Sequence, residues 1–482
     1  MKSILFLIVL FCSTSLFAQQ TTFEFLLSAE KSLRPINIKE ADDGSIYFVG
    51  RSNYSGSKKT EGLVIKINES GNLIDTLNIV VENRSFQFTQ IVPDNNNTLI
   101  LNGNSSDTTV EGYNSRIELY RINPDLDIVN SNTYFVSENH HVYSTYLNFL
   151  KSGNIILSGS MWSNLPPPSL MINFIFSPDF DSLYSYFSQP PGGRGTYYVR
   201  QLNDTTLWTL AWLGAFDGFV LTDTLFIQTG ETTRTPNSVI GDYGVKWDTD
   251  TTFFLSGEWN GGPDDDIGMF RFYDPMDTAN YIFKSWGTLD TLDYPAPYGG
   301  IDLNNKDTVF WGGTTNFWLF PGEFPSYYFL LQTDSLLNIR WEKFYGGDAN
   351  YILHSIDVTR DGGCLLGGIR HDFSYEVGKT DAHVLKVNSQ GLITGNTEEL
   401  KIEIREAIVF PNPGTNQLKV RIAAQYPNSI FELYDMAGNK VITQNIIGKW
   451  GEVNTSLLQT GTFVYRIFND DGLFETGKWV KQ

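Results

Sequence analysis

A chain of 482 residues has room for two or three domains, or for one large repeat domain with a small companion. Charged residues make up only 18% of it while aromatics reach 14%, a balance that suits short strands and tight turns and argues against long charged helices. The formal net charge of −20 repels phosphate backbones and so excludes nucleic acid as a partner; solubility outside a cell is what such a charge supplies.

Met1-Lys2 is a short basic start, Ile4 to Phe11 is a continuous apolar run, and Ser13 to Ala18 leads to Gln19-Gln20. The run is too short to span a bilayer, and Ala18 is a small residue after which signal peptidase can cut. Residues 1–18 therefore read as a signal peptide, and no transmembrane anchor is expected. Cys12 follows Phe11, a residue too large for a lipoprotein motif. With the signal gone, Cys364 is the one remaining cysteine, so an exported fold must rest on its core without an internal disulfide. Within Cys364-Leu365-Leu366 it reads as a small buried hydrophobe. The five histidines (140, 141, 354, 371 and 383) have no metal-ligand spacing, and neither metal nor cofactor is expected.

From residue 19 to 399 the chain repeats. The clearest copy begins at Trp341-Glu342-Lys343, passes Gly346-Gly347, turns at Asp361-Gly362 and continues to Gly367-Gly368, then to His383–Asn388 and Gly391. The same order recurs at Asp43-Gly44, Gly50, Val64–Asn68 and Gly71. Weaker copies place a strand end at Gly103, Gly159, Ala211, Gly257 and Gly312. From Gly50 to Gly368 the steps are 53, 56, 52, 46, 55 and 56 residues. Seven units, each with about four strand-length segments and period-2 alternation such as Leu63, Ile65 and Ile67, predict an all-β, seven-bladed β-propeller of roughly 53-residue repeats. The seventh unit lacks its own copy of the Trp341 strand. Phe23-Glu24-Phe25 stands twenty residues before Asp43, as Trp341 stands twenty before Asp361. The N-terminal strand is therefore expected to complete the last blade and close the ring.

After residue 399 the period stops. Residues 400–407 form a linker, and Pro411-Asn412-Pro413 opens a compact, immunoglobulin-like β-sandwich over 408–482. Tyr434-Asp435 with Gly438, then Gly461 and Tyr465, and finally Lys478 and Lys481 follow in order. These residues resemble the type A sorting domain of the type IX secretion system of Bacteroidetes. The resemblance implies recognition by an outer-membrane translocon, removal by its processing machinery, and then release or attachment to surface lipopolysaccharide. The expected location is extracellular or on the outer cell surface, by way of the periplasm. The Asp-Gly turn, Gly-Gly and Trp-x-Lys of the repeat also resemble propeller repeats that such exported proteins carry, which implies a fold and no activity.

Two functions compete. For an enzyme, the carboxylates that depart from the repeat are Glu258 and Asp264-Asp265-Asp266, but nothing in the sequence pairs them as a glycosidase would need. Nucleophile elbows, phosphate loops and calcium loops are missing. For a binding protein, the loop after the second strand of each unit carries Trp162, Trp212, Trp259 and Trp318 on one face of the ring, where they would stack on sugar or peptide groups; packing between blades is the competing reading. A secreted or surface binding protein, with a glycan or protein ligand, is the leading expectation; a carbohydrate-active enzyme or a ligandless structural protein are the alternatives. Ten Asp-Thr/Ser steps that are followed by a small apolar residue or Thr also resemble the O-glycosylation motif of Bacteroidetes exported proteins. That resemblance implies glycans on Thr76, Thr108, Ser182, Thr205, Thr224, Thr251, Thr278, Thr291, Thr308 and Ser335, although Asp favouring turns and Thr favouring strand starts explains the same steps.

Overall fold

The computed structural model describes residues 21–482 apart from 55–56, 58, 95–96, 110–112, 163–168, 189–194, 214–216, 231, 237–238, 260–265, 276, 278, 289–290, 318–324, 377, 394–406, 411–413, 423–427, 449 and 470–471. Among the described residues the regular elements are all strands.

In the strand Glu61–Ile67, Leu63, Ile65 and Ile67 pack with Leu365 and Val384, while Val64 packs with Phe86 and Phe88. One strand thus meets a different sheet on each face, which is why its apolar run is nearly continuous. Seven sheets are built this way in sequence order. The first is Ser32–Glu40, Ile46–Asn53, Glu61–Ile67 and Leu73–Ile79. Successive sheets begin with the strands Arg84–Asp94, His141–Phe149, Gly195–Asn203, Val239–Trp247, the broken pair Asp293–Pro295 and Ile301–Asn305, and Asn350–Val358. Contacts run from each sheet to the next, and Ser32–Glu40 packs against Asn350–Val358, so the seven blades form a closed ring.

The N-terminal strand closes it as the repeat predicts. Phe23–Leu27 pairs antiparallel with Asp381–Val387, Phe23 opposite Lys386 and Leu27 opposite Ala382, and becomes the outer strand of the last blade. Phe23 also fills the place that Trp341 fills one blade earlier. The turn after the third strand starts, in most blades, with an Asn or Asp whose side-chain oxygen accepts two backbone N–H groups, as Asn68 does from Ser70 and Asn72, and Asn388 does from Gln390 and Leu392; in the third blade Ser177 takes the place and accepts from Asp181. The fourth position of this turn has positive φ. Where it is Gly71 or Gly391, the ring of Phe23 or Trp341 lies against it, in the space a Cβ would need. Where it is Leu126, Phe180, Phe226 or Leu337, the turn residue buries its own side chain instead.

The recurring small residue of the second strand does not end that strand, as the spacing suggested. Strands continue past Gly50, Gly103, Gly159, Ala211 and Gly257 to Asn53, Asp107, Trp162, Trp212 and Trp259. In each case the inner strand opposite carries a β-bulge: Pro35/Asn37, Phe88/Gln90, Ser144/Tyr146, Thr196/Tyr198, Ile240/Gly244 and Leu353/Ser355. In the sixth blade the inner strand is broken outright opposite Gly312. A Cβ on Gly50 would run into the carbonyl oxygen of Arg34, and one on Gly368 into that of Ile352. The repeated glycine marks where the inner strand bends.

Cys364 is fully buried in the core of the last two blades, and burial pushes its thiol well above the ordinary range. Residues 407–482 form a separate core between two sheets, Ala407–Phe410 with Gln417–Ile422 and Trp450–Asn454, and Asn428–Tyr434 with Lys440–Ile447, Gly461–Asn469 and Gly472–Lys481. Phe431, Leu433, Val420, Tyr465 and Trp479 fill it.

Candidate binding channel and sorting domain

The bulges determine which side chains reach the middle of the ring. Directly after them stand Asn37, Gln90, Tyr146, Tyr198 and Ser355. Three of these tie each inner strand to its neighbour: Ser355 Oγ accepts Ile38 N–H at 3.1 Å, Asn37 Oδ1 accepts Ile91 N–H at 3.3 Å, and Gln90 Oε1 accepts Leu147 N–H. Tyr146 and Tyr198 continue the circle by ring contact, centroids 4.2 Å apart. The space left is a channel cavity of about 540 Å³, lined by Tyr143, Tyr146, Tyr197, Tyr198 and Tyr298 together with the amides of Asn37, Gln87, Gln90 and Asn148.

Charge is distributed unevenly along the channel. Toward the turns joining first and second strands, Lys39 is paired with Asp357, and Lys246 lies 3.0 Å from Asp302. Burial pushes Asp357 up to about 6, with Lys39 opposing. Burial acts the same way on Asp302, but Lys246 and Lys39 outweigh it and hold that carboxyl below its ordinary value. Two carboxylates driven apart in pKa could divide acid and base roles. Here, however, Asp357 also accepts Glu40 N–H at 2.8 Å and Asp302 accepts Val358 N–H at 2.9 Å, so each carboxylate ties a neighbouring strand as well as a lysine.

Beside the other end stand two cations that have no carboxylate partner among the described residues. Arg34 and Arg51 are direct partners across the first two strands of the first blade. Burial lowers both, and the Arg51 charge lowers Arg34 further. His354 beside them shares its Nδ1 proton with the carbonyl of Pro35, and burial pushes its pKa down to about 3, so it is neutral. Tyr143 and Tyr298 are the exposed aromatics here, at 45% and 37%.

Trp162, Trp212 and Trp259 end the second strands of three consecutive blades and pair with His141, Gly195 and Val239, the first residues of the inner strands. They stand on one rim, as the register of the repeat implies. Trp162 is 40% exposed, while Trp212 and Trp259 are half-buried, with Trp259 packed 5.9 Å from Phe283. Trp318 lies outside the described residues, as do Asp264 and Asp265. Glu258 and Asp266 stand beside Trp259 on paired strands, and neither lines the channel. Sequence reading missed the channel tyrosines; the signal that finds Tyr146 and Tyr198 is their position directly after the bulges opposite Gly159 and Ala211.

Among the described residues no group of three or more His, Cys, Asp or Glu is placed to hold a metal ion, and no helix is long and apolar enough to cross a membrane. Ala18 and the apolar run before it lie outside the described residues. Of the Asp-Thr/Ser hydroxyls, Thr76, Thr108, Ser182, Thr205 and Thr251 are exposed. Thr224, Thr291, Thr308 and Ser335 are half-buried, and Thr278 is outside the described residues. Several of the aspartates have a turn role: Asp223 accepts Leu225 and Ile227 N–H, and Asp334 accepts Leu336 and Asn338 N–H.

In the C-terminal sandwich, Pro411, Asn412 and Pro413 lie outside the described residues. Asp435 Oδ1 accepts Ala437 and Asn439 N–H around Gly438, whose φ is 86°. Tyr434 donates its hydroxyl proton to Glu432, which Lys440 and Arg466 also hold; the Tyr434 hydrogen bond and those two cations bring Glu432 down to about 2. Gly461 opens the strand that contains buried Tyr465, and Lys478 is exposed on the last strand. Lys481 is buried, with Nζ donating to the carbonyls of Thr415 at 3.0 Å and Thr455 at 2.7 Å. It clasps the last strand to the loops of the opposite sheet.

No curated protein matches the chain in sequence. Among solved structures, PorZ of Porphyromonas gingivalis, a surface component of the type IX secretion system, aligns over 95% of this chain and 99% of its own at 8% identity and a TM-score of 0.28. An acylaminoacyl peptidase of Pyrococcus horikoshii aligns over 81% of this chain and 58% of its own, at 7% identity and a TM-score of 0.40. A β-1,3-galactosidase aligns over 78% of this chain and 96% of its own, at 9% identity and a TM-score of 0.31. At these scores none of the three bears on activity. Residues 408–482 match the family described as the secretion system C-terminal sorting domain. The chain therefore carries a type IX secretion sorting domain at residues 408–482, and its destination is the cell surface or the extracellular space.

Proposed function

We propose that the exported chain is a non-catalytic binding protein that takes a glycan or peptide ligand into the ring channel through the rim bearing Trp162. The observation that carries this reading is the channel of about 540 Å³ lined by tyrosines and side-chain amides, with Tyr143 and Tyr298 exposed within it. Ligand sites are concave and of this size, and aromatic faces with a few fixed hydrogen-bonding groups are what sugar rings and peptides dock on. Trp162 extends the aromatic surface onto the rim, and Trp212, Trp259 and Trp318 belong to the same proposal. Glycan and matrix-protein arrays probed with the purified chain test it. Binding that drops at least tenfold in Tyr143→Ala and Tyr298→Ala supports the channel, and an array without a ligand rejects the reading.

A carbohydrate-active enzyme is the second reading, favoured only by the separated pKa values of Asp302 and Asp357. Release of reducing ends from a panel of polysaccharides, abolished in Asp357→Asn, would establish it. The type IX machinery and its processing peptidase are the partners proposed during export. O-glycans on the exposed hydroxyls Thr76, Thr108, Ser182, Thr205 and Thr251 are proposed as well, and intact-mass measurement of the secreted protein checks them.

A further inference from the structure

Lys39 and Lys246 line the channel, Arg51 lines a smaller cavity beside it, and Arg34 stands directly opposite Arg51 on the paired strand. Lys39 and Lys246 are each matched to a carboxylate. Arg34 and Arg51 are not. Among the described residues the Arg34 guanidinium makes no hydrogen bond or ion pair, and the Arg51 guanidinium donates only to the side-chain carbonyl of Gln87, at 3.1 Å. The two guanidiniums stand on directly opposed residues, so like charges face each other in a partly desolvated place. Charges partly withdrawn from water are ordinarily paired, and these two are half-buried without a carboxylate partner among the described residues. A chain with 54 acidic residues against 34 basic ones has no shortage of carboxylates to place here. Nor is the mismatch relieved by the neighbours: His354 is neutral and its Nδ1 proton is committed to Pro35.

What surrounds the pair is suited to a ligand. Arg51, Gln87 and Tyr143 line a second cavity of about 150 Å³, and Gln87 and Tyr143 are shared with the channel. Tyr298 faces both arginines from the sixth blade closely enough to influence each of them electrostatically. Two forked donors on directly opposed residues match an oxyanion better than a neutral group, because a guanidinium can give two parallel N–H bonds to one carboxylate or sulfate. Two exposed tyrosine rings beside them offer faces for the sugar that carries it.

We infer that Arg34 and Arg51 form an oxyanion subsite, and that the channel ligand is a glycan bearing a carboxylate or sulfate group. The inference rests on the channel as the binding site. The test uses the purified full chain with four probes: inorganic sulfate, a galacturonate oligosaccharide, a sulfated galactose oligosaccharide and its neutral counterpart. Calorimetric titration of the wild type should show saturable binding of one acidic oligosaccharide at least tenfold tighter than of the neutral one, and which acidic probe wins identifies the oxyanion. Arg34→Gln and Arg51→Gln should each abolish that difference. Melting temperature supplies the control. Removing an unmatched charge should leave stability unchanged or raised in the absence of ligand, whereas a structural role would lower it. Equal affinity for acidic and neutral sugars, or arginine variants that bind the acidic one normally or melt markedly lower, would overturn the subsite while leaving a neutral-glycan channel intact. No binding of any oligosaccharide, with sulfate still taken up and lost in both arginine variants, would overturn the glycan and leave an anion site alone.

Discussion

Ser355 Oγ accepts the backbone N–H of Ile38 at 3.1 Å, and this bond joins the last blade to the first across the seam where the two ends of the ring meet. The same seam holds Phe23 and Phe25, buried with Leu365 and Val384. Removing Thr21 to Lys31 would strip the outer strand from Asp381–Val387, expose a sheet edge and empty the space of two phenylalanines. Truncating even one buried Phe costs about 3–5 kcal/mol. The shortened protein should therefore melt far below the intact one or aggregate, as differential scanning calorimetry and size-exclusion chromatography would show. Unchanged stability and a monomeric elution volume would mean that the ring closes without this strand.

A second prediction uses the exchange between turn and neighbour. Gly71 accepts the ring of Phe23, while Leu126 fills the corresponding space from its own turn. Gly71→Leu should destabilise by roughly 2–4 kcal/mol through overpacking and a strained positive φ. Gly71→Leu combined with Phe23→Ala should recover part of that loss, because the leucine then fills the vacated space. A double-mutant cycle in urea measures the coupling, and strictly additive effects would show that the two positions do not share one space.

The rim tryptophans should divide by environment. Trp162→Ala removes a ring that is 40% exposed, so its effect on stability should stay below about 1 kcal/mol. Trp259→Ala removes a ring packed on Phe283 and should cost about 1–3 kcal/mol. If ligand binding falls only in the Trp162 variant, the half-buried rings serve packing.

Asp293 gives the ring a pH dependence. Burial pushes its carboxyl from 3.8 up to about 7, despite hydrogen bonds from Thr315 and Thr288. A carboxyl with a raised pKa in the folded state favours folding while protonated. Its contribution is fully present below about pH 4 and is lost as pH rises through 7. The difference amounts to at most about 4 kcal/mol. Asp293→Asn should remove that part of the decline between pH 4 and 8, seen by comparing melting curves of the two proteins across the range. Asp357, raised in the same direction, accounts for slope that remains. A variant with the same pH profile as the wild type would place the dependence elsewhere.

The seven-fold order was legible because turns such as Asp43-Gly44 and Asp361-Gly362 need residues of restricted type, and because the small residue of the second strand recurs near each bulge. The completion of the last blade by Phe23 was legible for the same reason, since its spacing to Asp43 repeats that of Trp341 to Asp361. The channel was not legible. Its walls come from a few residues on each of several inner strands, and a bulge in the strand reverses which residues face inward. A period-2 reading of Ser32–Glu40 carried through Ile36 puts Asn37 and Lys39 on the wrong face; the shift between Pro35 and Asn37 restores them to the channel. Arg34 and Arg51 stand about seventeen residues apart in sequence, and only the strand pairing makes them one site. In the sorting domain the order of motifs was readable, but the inward turn of Lys481 was not, since a terminal lysine ordinarily stays in water.

That inward turn gives the last prediction. Lys481 Nζ bonds the carbonyls of Thr415 and Thr455, two loops of the sheet opposite its own strand, and Gly414 N–H donates to Val480 beside it at 2.8 Å. Lys481→Ala would leave two carbonyls short of a charged donor within a buried clasp, at a cost of roughly 2–5 kcal/mol. Lys478 is exposed on the same strand, and Lys478→Ala should leave the fold as it is. In a host with the type IX system, deletion of residues 408–482 should hold a stable propeller in the periplasm, because the remaining chain lacks the address. Lys481→Ala should do the same in proportion to the sandwich it unfolds, and lowering the growth temperature or substituting Lys481→Arg should restore export. Export that fails in Lys481→Ala while the isolated sandwich remains folded, judged by its melting curve, would show that the ammonium is read directly by the translocon. Lys478→Ala separates the outcomes further: if it blocks export without unfolding, the exposed face of the last strand is the recognised surface. If neither lysine matters and the chain lacking residues 408–482 still reaches the medium, sorting depends on another part of the molecule.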